Sequence, residues 1–225
     1  MENIIALVYD CDITLTPKYM QAPLLAKYGL DEEAFWNETG DMKRKEKDEN
    51  RGMQAESAYL HLIIEGAREG GRFEGLTETV LKELGTKLEF YPGIPKFFET
   101  IKKEFEEELR YKAAGIKVEH YVVSSGLADM LRTSKIAPYM RHMEACEFFY
   151  DKKGKPIGVS NIMTPTEKTR LFYQIKKGVY NDRFINVDAR VKSKEIIRVR
   201  PENMIYFGDG ASDVPIMAVL KDHGG

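Results

Sequence analysis

The chain has 225 residues, 43% of them hydrophobic and 31% charged, with a formal net charge of −2. That is enough for one large domain, or for a core domain with a second one inserted, at an ordinary globular composition. The charge balance predicts no broad attraction to nucleic acid or to an anionic membrane.

The first element is the continuous apolar run over residues 4–9, which predicts a strand buried on both faces. It meets a charge within a few residues and is too short for a signal peptide or a spanning helix. No later apolar stretch has spanning length. The segment Asp10-Cys11-Asp12-Ile13-Thr14-Leu15-Thr16 follows. Residues i and i+2 of a strand point the same way, so extended geometry would bring Asp10 and Asp12 to one site. Two acids aimed together repel. They make sense around a cation, or as an acid and a nucleophile whose proton affinities are driven apart.

From Pro17 to about Gly85 the pattern turns helical, with stretches around 17–28, 31–48, 54–69 and 76–84 separated by glycines. Asp31 and Thr77 are expected N-caps. The mixed-sign run from Lys43 to Glu49 reads as a solvated helix face. Phe35 and Trp36 are expected to pack this segment rather than stack on a ligand.

Pro92-Gly93 ends the helical segment. Ile94, Phe97, Phe98, Ile101, Phe105 and Leu109 then recur at helical period. A strand over 118–123 runs into Ser124-Ser125-Gly126, and a helix is expected from about Leu127. Residues 148–159 read as a hairpin around Asp151-Lys152-Lys153-Gly154. Thr164-Pro165-Thr166-Glu167 is a capping pattern that opens a helix with Lys168 on its first turn. A cation there opposes the helix dipole, which argues for a partner anion. Met204-Ile205-Tyr206-Phe207 is a last apolar strand, leading into Gly208-Asp209-Gly210-Ala211-Ser212-Asp213 and a final helix. Strands alternating with helices predict the α/β class with a parallel sheet. Residues 17–85 are then a helical insertion after the first strand. At Gly224-Gly225 a doubly wound sheet would usually turn into another strand, so either this sheet is small or the chain lacks its tail.

The two cysteines, Cys11 and Cys146, form no disulfide framework. They read as buried, reduced thiols of a cytoplasmic protein. His61, His120, His142 and His223 fit no metal-ligand spacing and read as structural. Four polar signals sit past strands or at a helix start: Asp10/Asp12, Ser124/Ser125, Lys168 and Asp209/Asp213. In open α/β sheets, ligands bind beyond the carboxyl ends of the strands, so these signals can converge. Carboxylates without His or Cys favour a hard cation, Mg2+ before Zn2+. A lysine, a serine hydroxyl and loop amides suit a phosphoryl dianion. The predicted chemistry is phosphoryl transfer.

In these residues the chain resembles the haloacid dehalogenase superfamily. The motifs are Asp10-x-Asp12-x-Thr14, Ser124, Lys168 and Gly208-Asp209-x-x-x-Asp213, in that order. The helical insertion looks like the cap of its phosphoserine-phosphatase-like branch. The resemblance implies a Rossmann-like three-layer α/β/α core, residues 1–16 and 90–225, and a helical cap domain, residues 17–89. It implies that Asp10 is the nucleophile and that Asp12 protonates the leaving group and then activates water. It assigns the phosphate to Ser124, with the amide of Ser125, and to Lys168. Mg2+ falls to Asp10, the backbone carbonyl of Asp12, Asp209 and Asp213. Two positions depart from the pattern. Ile13 replaces a small or polar residue and leaves the chemistry intact. Tyr19 stands about where phosphoserine phosphatases place a glutamate that recognises the amino group, which counts against phosphoserine.

The leading expectation is a Mg2+-dependent phosphatase acting on a small phosphorylated metabolite, as a monomer or homodimer, with no nucleic acid or membrane partner. A phosphomutase, a phospho-aspartate signalling domain and a vestigial binding protein are the alternatives. The insertion is expected to choose the substrate, with Lys18 and Tyr19 near the leaving group and hinges near Thr16-Pro17 and Phe90-Gly93.

Overall fold

A computed structural model describes residues 3–49, 51–180 and 197–225. Its sheet has five strands in the order β4-β3-β2-β1-β5. They are β1 (Asn3–Tyr9), β2 (Ile116–Leu127), β3 (Met140–Tyr150), β4 (Pro156–Asn161) and β5 (Met204–Phe207). β1 runs parallel to β2 and β5, and β2 parallel to β3, while β4 turns back antiparallel on β3. A strand flanked on both edges and covered on both faces must be apolar throughout, which is why β1 reads as an unbroken run.

Tyr9 lies opposite Val122 on one neighbour and Phe207 on the other. The carboxyl ends of β1, β2 and β5 therefore stand side by side, and the residues just past them share one rim. Helices cover both faces. On the face carrying Tyr9 and His120, α5 (Lys96–Glu107) sets Phe98 against both rings, at 5.5 and 5.0 Å. Alternation turns Tyr121 to the other face, where its ring meets that of Tyr180, just past α8 (Pro165–Lys177), at 5.6 Å. α9 (Val214–Asp222) packs on α8 and β5. The short α6 (Leu109–Lys112) and α7 (Ala128–Arg132) complete this part.

Between β1 and α5 lie α1 (Ala22–Lys27), α2 (Glu32–Asp48), α3 (Ala55–Gly66) and α4 (Glu78–Gly85). The expected caps form: Asp31 accepts the N–H of Ala34 and Thr77 that of Val80. The two connections of this insertion run together, the N–H of Tyr91 donating to the carbonyl of Leu15 at 3.0 Å. The insertion sits tightly on the rest. A methyl group at Gly85 would come within 2.2 Å of the Met130 carbonyl on α7. No helix among the described residues is long and apolar enough to cross a membrane. Both cysteines are free and buried.

Three elements differ from the sequence reading. β2 continues past 123 through Ser124-Ser125-Gly126, with a register shift against β3 before Leu127. The helix expected after it lasts only five residues, and just past it the Thr133 hydroxyl lies 2.8 Å from the Lys82 carbonyl on α4. β3 begins at Met140, well before the hairpin. Its first half, Arg141-His142-Met143-Glu144, is polar. It is held in the sheet by pairing with β2 and by a bond of 2.8 Å between His142 and the buried Glu144.

Candidate active site

The β1–β5 ladder extends one residue beyond the strands, since the N–H of Asp10 donates to the Phe207 carbonyl at 2.8 Å. The chain then turns sharply. The N–H groups of Leu15 and Thr16 both reach the Cys11 carbonyl, at 2.8 and 3.1 Å. The turn drives Ile13 to φ +62°, a left-handed conformation that costs a β-branched residue about 1–2 kcal/mol.

Asp10 accepts the N–H of Cys11 on Oδ1 at 2.8 Å and meets Lys168 Nζ on Oδ2 at 3.1 Å. Lys168 is 0% exposed, and its Nζ also lies 2.7 Å from Asp213 Oδ1 and 3.3 Å from the Ser212 hydroxyl. The partner anion that its place on α8 demanded is thus two aspartates. Burial pulls the ammonium down, but these carboxylates outweigh it and hold Lys168 above its ordinary value. Asp213 is closed in by three donors: Lys168, the Tyr206 hydroxyl at 2.6 Å, and the N–H of Gly210 at 3.1 Å. Burial pushes it up, and these partners bring it below the ordinary carboxylate range. This packing leaves no room at Gly208, where a methyl group would lie 2.5 Å from the Asp213 carboxyl carbon. Asp209 is exposed at the rim and accepts the Thr14 hydroxyl at 3.0 Å.

Asp12 is placed differently. Its Oδ1 accepts the N–H of Met20, at the entry to the insertion, at 2.9 Å. Burial first, and then the charge of Asp10, push it up to about 7. Asp10 is pushed up by burial to about 6, with Lys168 as the main restraint.

Ser124 is fully buried and its Oγ accepts the N–H of Gly126 at 3.0 Å, leaving its own proton to donate. The Ser125 hydroxyl is already engaged with the Met163 carbonyl at 2.9 Å. Its backbone carbonyl takes the Tyr59 hydroxyl at 2.6 Å.

A cleft of about 410 Å³ opens over Asp12 and Ser125. Tyr19, Trp36 and Tyr59 line it from the insertion, with ring centroids 5.1 Å apart for Tyr19–Trp36 and 5.9 Å for Trp36–Tyr59. Gln21, Lys43 and Glu56 also line it. Phe35 is buried against Phe73 as expected, but Trp36 faces the cleft as well as its neighbours. Tyr19 lines this cleft. Lys18 lines a separate cleft of about 240 Å³ between the two connections of the insertion.

The sequence reading missed Tyr206, Gln21, Glu56 and Tyr59. Strand alternation was the available signal for Tyr206, since it puts 206 on the face of Gly208, toward the last motif. Nothing local marks the other three, which three-dimensional packing brings together.

Asp10, Asp209 and Asp213 offer carboxylate oxygens within 4.8 Å of one another. An all-oxygen, anionic set of this kind fits Mg2+. The Asp12 carboxylate stands outside this group. An ionised carboxylate has about four acceptor sites. Asp213 has three donors on it, which leaves about one position for a metal or its water.

No protein-family model matches the chain. An uncharacterised protein of Borreliella burgdorferi is 35% identical over 237 residues, an alignment covering 98% of this chain and 80% of that protein. The chain belongs to the same family. Among solved structures, a HAD family hydrolase from Salmonella enterica serovar Typhi superposes with a TM-score of 0.62 at 16% identity over 96% of this chain. A phospho-aspartyl intermediate analogue of phosphoserine phosphatase gives 0.61 at 13% identity, covering 99% of this chain and 91% of that one. Substrate-bound phosphoserine phosphatase gives 0.59 at 14% identity, covering 100% and 85%. The fold is that of the haloacid dehalogenase superfamily, in its phosphoserine-phosphatase-like form. The chain spans 60% of the length of the Salmonella hydrolase, and 53% of a probable phosphoserine phosphatase from Vibrio cholerae.

Proposed function

We propose that this protein is a Mg2+-dependent phosphatase that hydrolyses a small phosphomonoester through an aspartyl-phosphate on Asp10. Residues 17–89 serve as a cap over a core of residues 1–16 and 90–225. The observation that carries this reading is the arrangement at Lys168. A fully buried ammonium bridges Asp10 and Asp213, while a second acid, Asp12, stands apart from it with a raised proton affinity.

Lys168 orients Asp10 and offsets charge on the incoming phosphoryl group. An Asp10 oxygen attacks phosphorus in line as the bond to the alcohol oxygen breaks. Asp12, protonated, gives its proton to that oxygen, and the alcohol leaves. A water molecule then attacks phosphorus and yields its proton to the Asp12 carboxylate. The Asp10–phosphoryl bond breaks, and inorganic phosphate and free Asp10 result. Ser124 donates its hydroxyl proton to a phosphoryl oxygen. Asp10, Asp209 and Asp213 would hold Mg2+, which when bound would supply charge neutralisation for the phosphoryl oxygens.

The test is phosphate release from p-nitrophenyl phosphate with Mg2+, compared with Asp10→Asn and with a chelator. Release that is lost in both controls supports the reading. Release that survives Asp10→Asn sinks it.

A further inference from the structure

The cleft over Asp12 carries its own chemical signature, apart from the phosphate machinery. Three aromatic rings, Tyr19, Trp36 and Tyr59, share its wall. The Tyr59 hydroxyl is turned away to the Ser125 carbonyl, and the Trp36 Nε1 is sealed from solvent. What these side chains offer a ligand is ring surface.

Beside them stands Glu56, one helical turn before Tyr59 on α3 and so on the same helix face. It is half-buried, forms no ion pair among the described residues, and has one contact, the Ser125 hydroxyl at 3.5 Å. The cation lining the cleft, Lys43, is exposed to water, so its charge is screened more strongly than that of Glu56. Aromatic faces and an unpaired carboxylate together make a site for an organic cation.

Building on the phosphatase reading, we propose that the substrate is the phosphate ester of a short-chain amino alcohol. Its ammonium sits between Glu56 and the rings of Tyr19, Trp36 and Tyr59. The chain between ammonium and phosphate is short because Glu56 touches Ser125, the residue next to Ser124. The volume of about 410 Å³ lies at the small end of ligand sites. A carboxylate on the same alcohol would approach Glu56 without a buried cation to receive it. Phosphoserine is therefore a poorer substrate than phosphoethanolamine.

Two measurements on the full chain test this. The first compares kcat/KM with Mg2+ for phosphoethanolamine, phosphocholine, phosphoserine and glycerol phosphate, with p-nitrophenyl phosphate as a general ester. We expect the amino-alcohol esters to exceed glycerol phosphate by about tenfold or more. Glu56→Gln preserves the Ser125 contact. It should raise KM for phosphoethanolamine about tenfold and change KM for glycerol phosphate, which carries no ammonium, by much less. Glycerol phosphate or phosphoserine preferred, or Glu56→Gln without effect on KM, overturns the proposal while the phosphatase reading stands. Failure to release phosphate from any ester, p-nitrophenyl phosphate included, overturns that reading itself.

The second measurement needs no turnover. Trp36 is the chain's single tryptophan, so its fluorescence reports on the cleft. Ethanolamine or choline should change it saturably in the wild type, and more weakly in Glu56→Gln. The uncharged carbon isostere of choline, dimethylbutanol, should not. An equal response to the isostere, or no response to either cation, contradicts the cation site.

Discussion

The rim of the sheet and the wall of the cleft are built on opposite principles. At the rim, Asp10, Lys168, Asp213 and Tyr206 are locked by short charged hydrogen bonds on rigid strand ends and the first turn of a helix. In the wall, Tyr19, Trp36, Glu56 and Tyr59 come from three separate parts of the insertion and meet mainly through ring contacts. The rim holds charges that attract and repel strongly at low local dielectric, so its geometry must be tight. The wall presents ring surfaces and a single unpaired charge, which on the proposed reading select the substrate by shape and charge. On that reading, one half of the site carries chemistry and the other carries choice.

Substitutions can separate the two halves. The largest effect belongs to the rim: Asp10→Asn should lower phosphate release by more than about a thousandfold, measured by steady-state assay, with the fold intact by circular dichroism. In kcat/KM, which reports the transfer to Asp10 and not the later hydrolysis, Asp12→Asn should cost about 100- to 10,000-fold on an alkyl phosphate. The cost should be clearly smaller on p-nitrophenyl phosphate, whose leaving group hardly needs a proton. Equal losses on both esters would remove Asp12 from the acid role.

Lys168→Met should cost about 3–5 kcal/mol of stability, since it strands buried aspartates without their counter-charge. Urea unfolding measures this, and a loss below about 1 kcal/mol would show that the bridge is not closed in solution.

A pH series contrasts the rim with the core beneath it. Burial holds His120 down to about 4 from the usual 6.5. The unfolded chain therefore takes up a proton first. Stability from this residue is present above about pH 6.5 and is lost as pH falls toward 4, by up to about 3 kcal/mol. Asp10 and Asp12, raised to about 6 and 7, act in the opposite sense. The folded chain binds their protons first, so they add stability as pH falls from 7 toward 4. Unfolding in EDTA should show these trends opposing each other in the wild type. His120→Phe should leave stability rising as pH is lowered from 7 to 5, and an unchanged slope would refute the His120 contribution. The smallest effect is local. Ile13→Asn should add about 1 kcal/mol of stability by relieving the left-handed strain in the turn, read from the urea midpoint.

The same division explains what the sequence disclosed. β1 and β5 were legible because strands covered on both faces must be unbroken apolar runs. Lys168 was legible because a cation in the first turn of a helix needs an anion, and the structure supplies two. The first half of β3 was not legible, because Arg141-His142-Met143-Glu144 becomes strand only through pairing with β2 and the buried His142–Glu144 contact. Tyr206 read as one more apolar strand residue, since its role depends on where its hydroxyl ends. Trp36 read as packing because ring contacts to its own helix neighbour and to a ligand look alike in sequence. Glu56 carried no local signal, and only the docking of α3 beside Ser125 brings it to the cleft.

The central claim is that Asp10 carries the phosphoryl group. The Asp12→Asn protein accepts a phosphoryl group from p-nitrophenyl phosphate but lacks the base that hydrolyses the adduct. Quenching it after mixing and reducing with borohydride converts an aspartyl-phosphate to homoserine, which peptide mass spectrometry locates. The account predicts homoserine at position 10, and none when Asp10→Asn is added. Homoserine at another aspartate, or an unmodified Asp10 during a phosphate-releasing turnover, would contradict it.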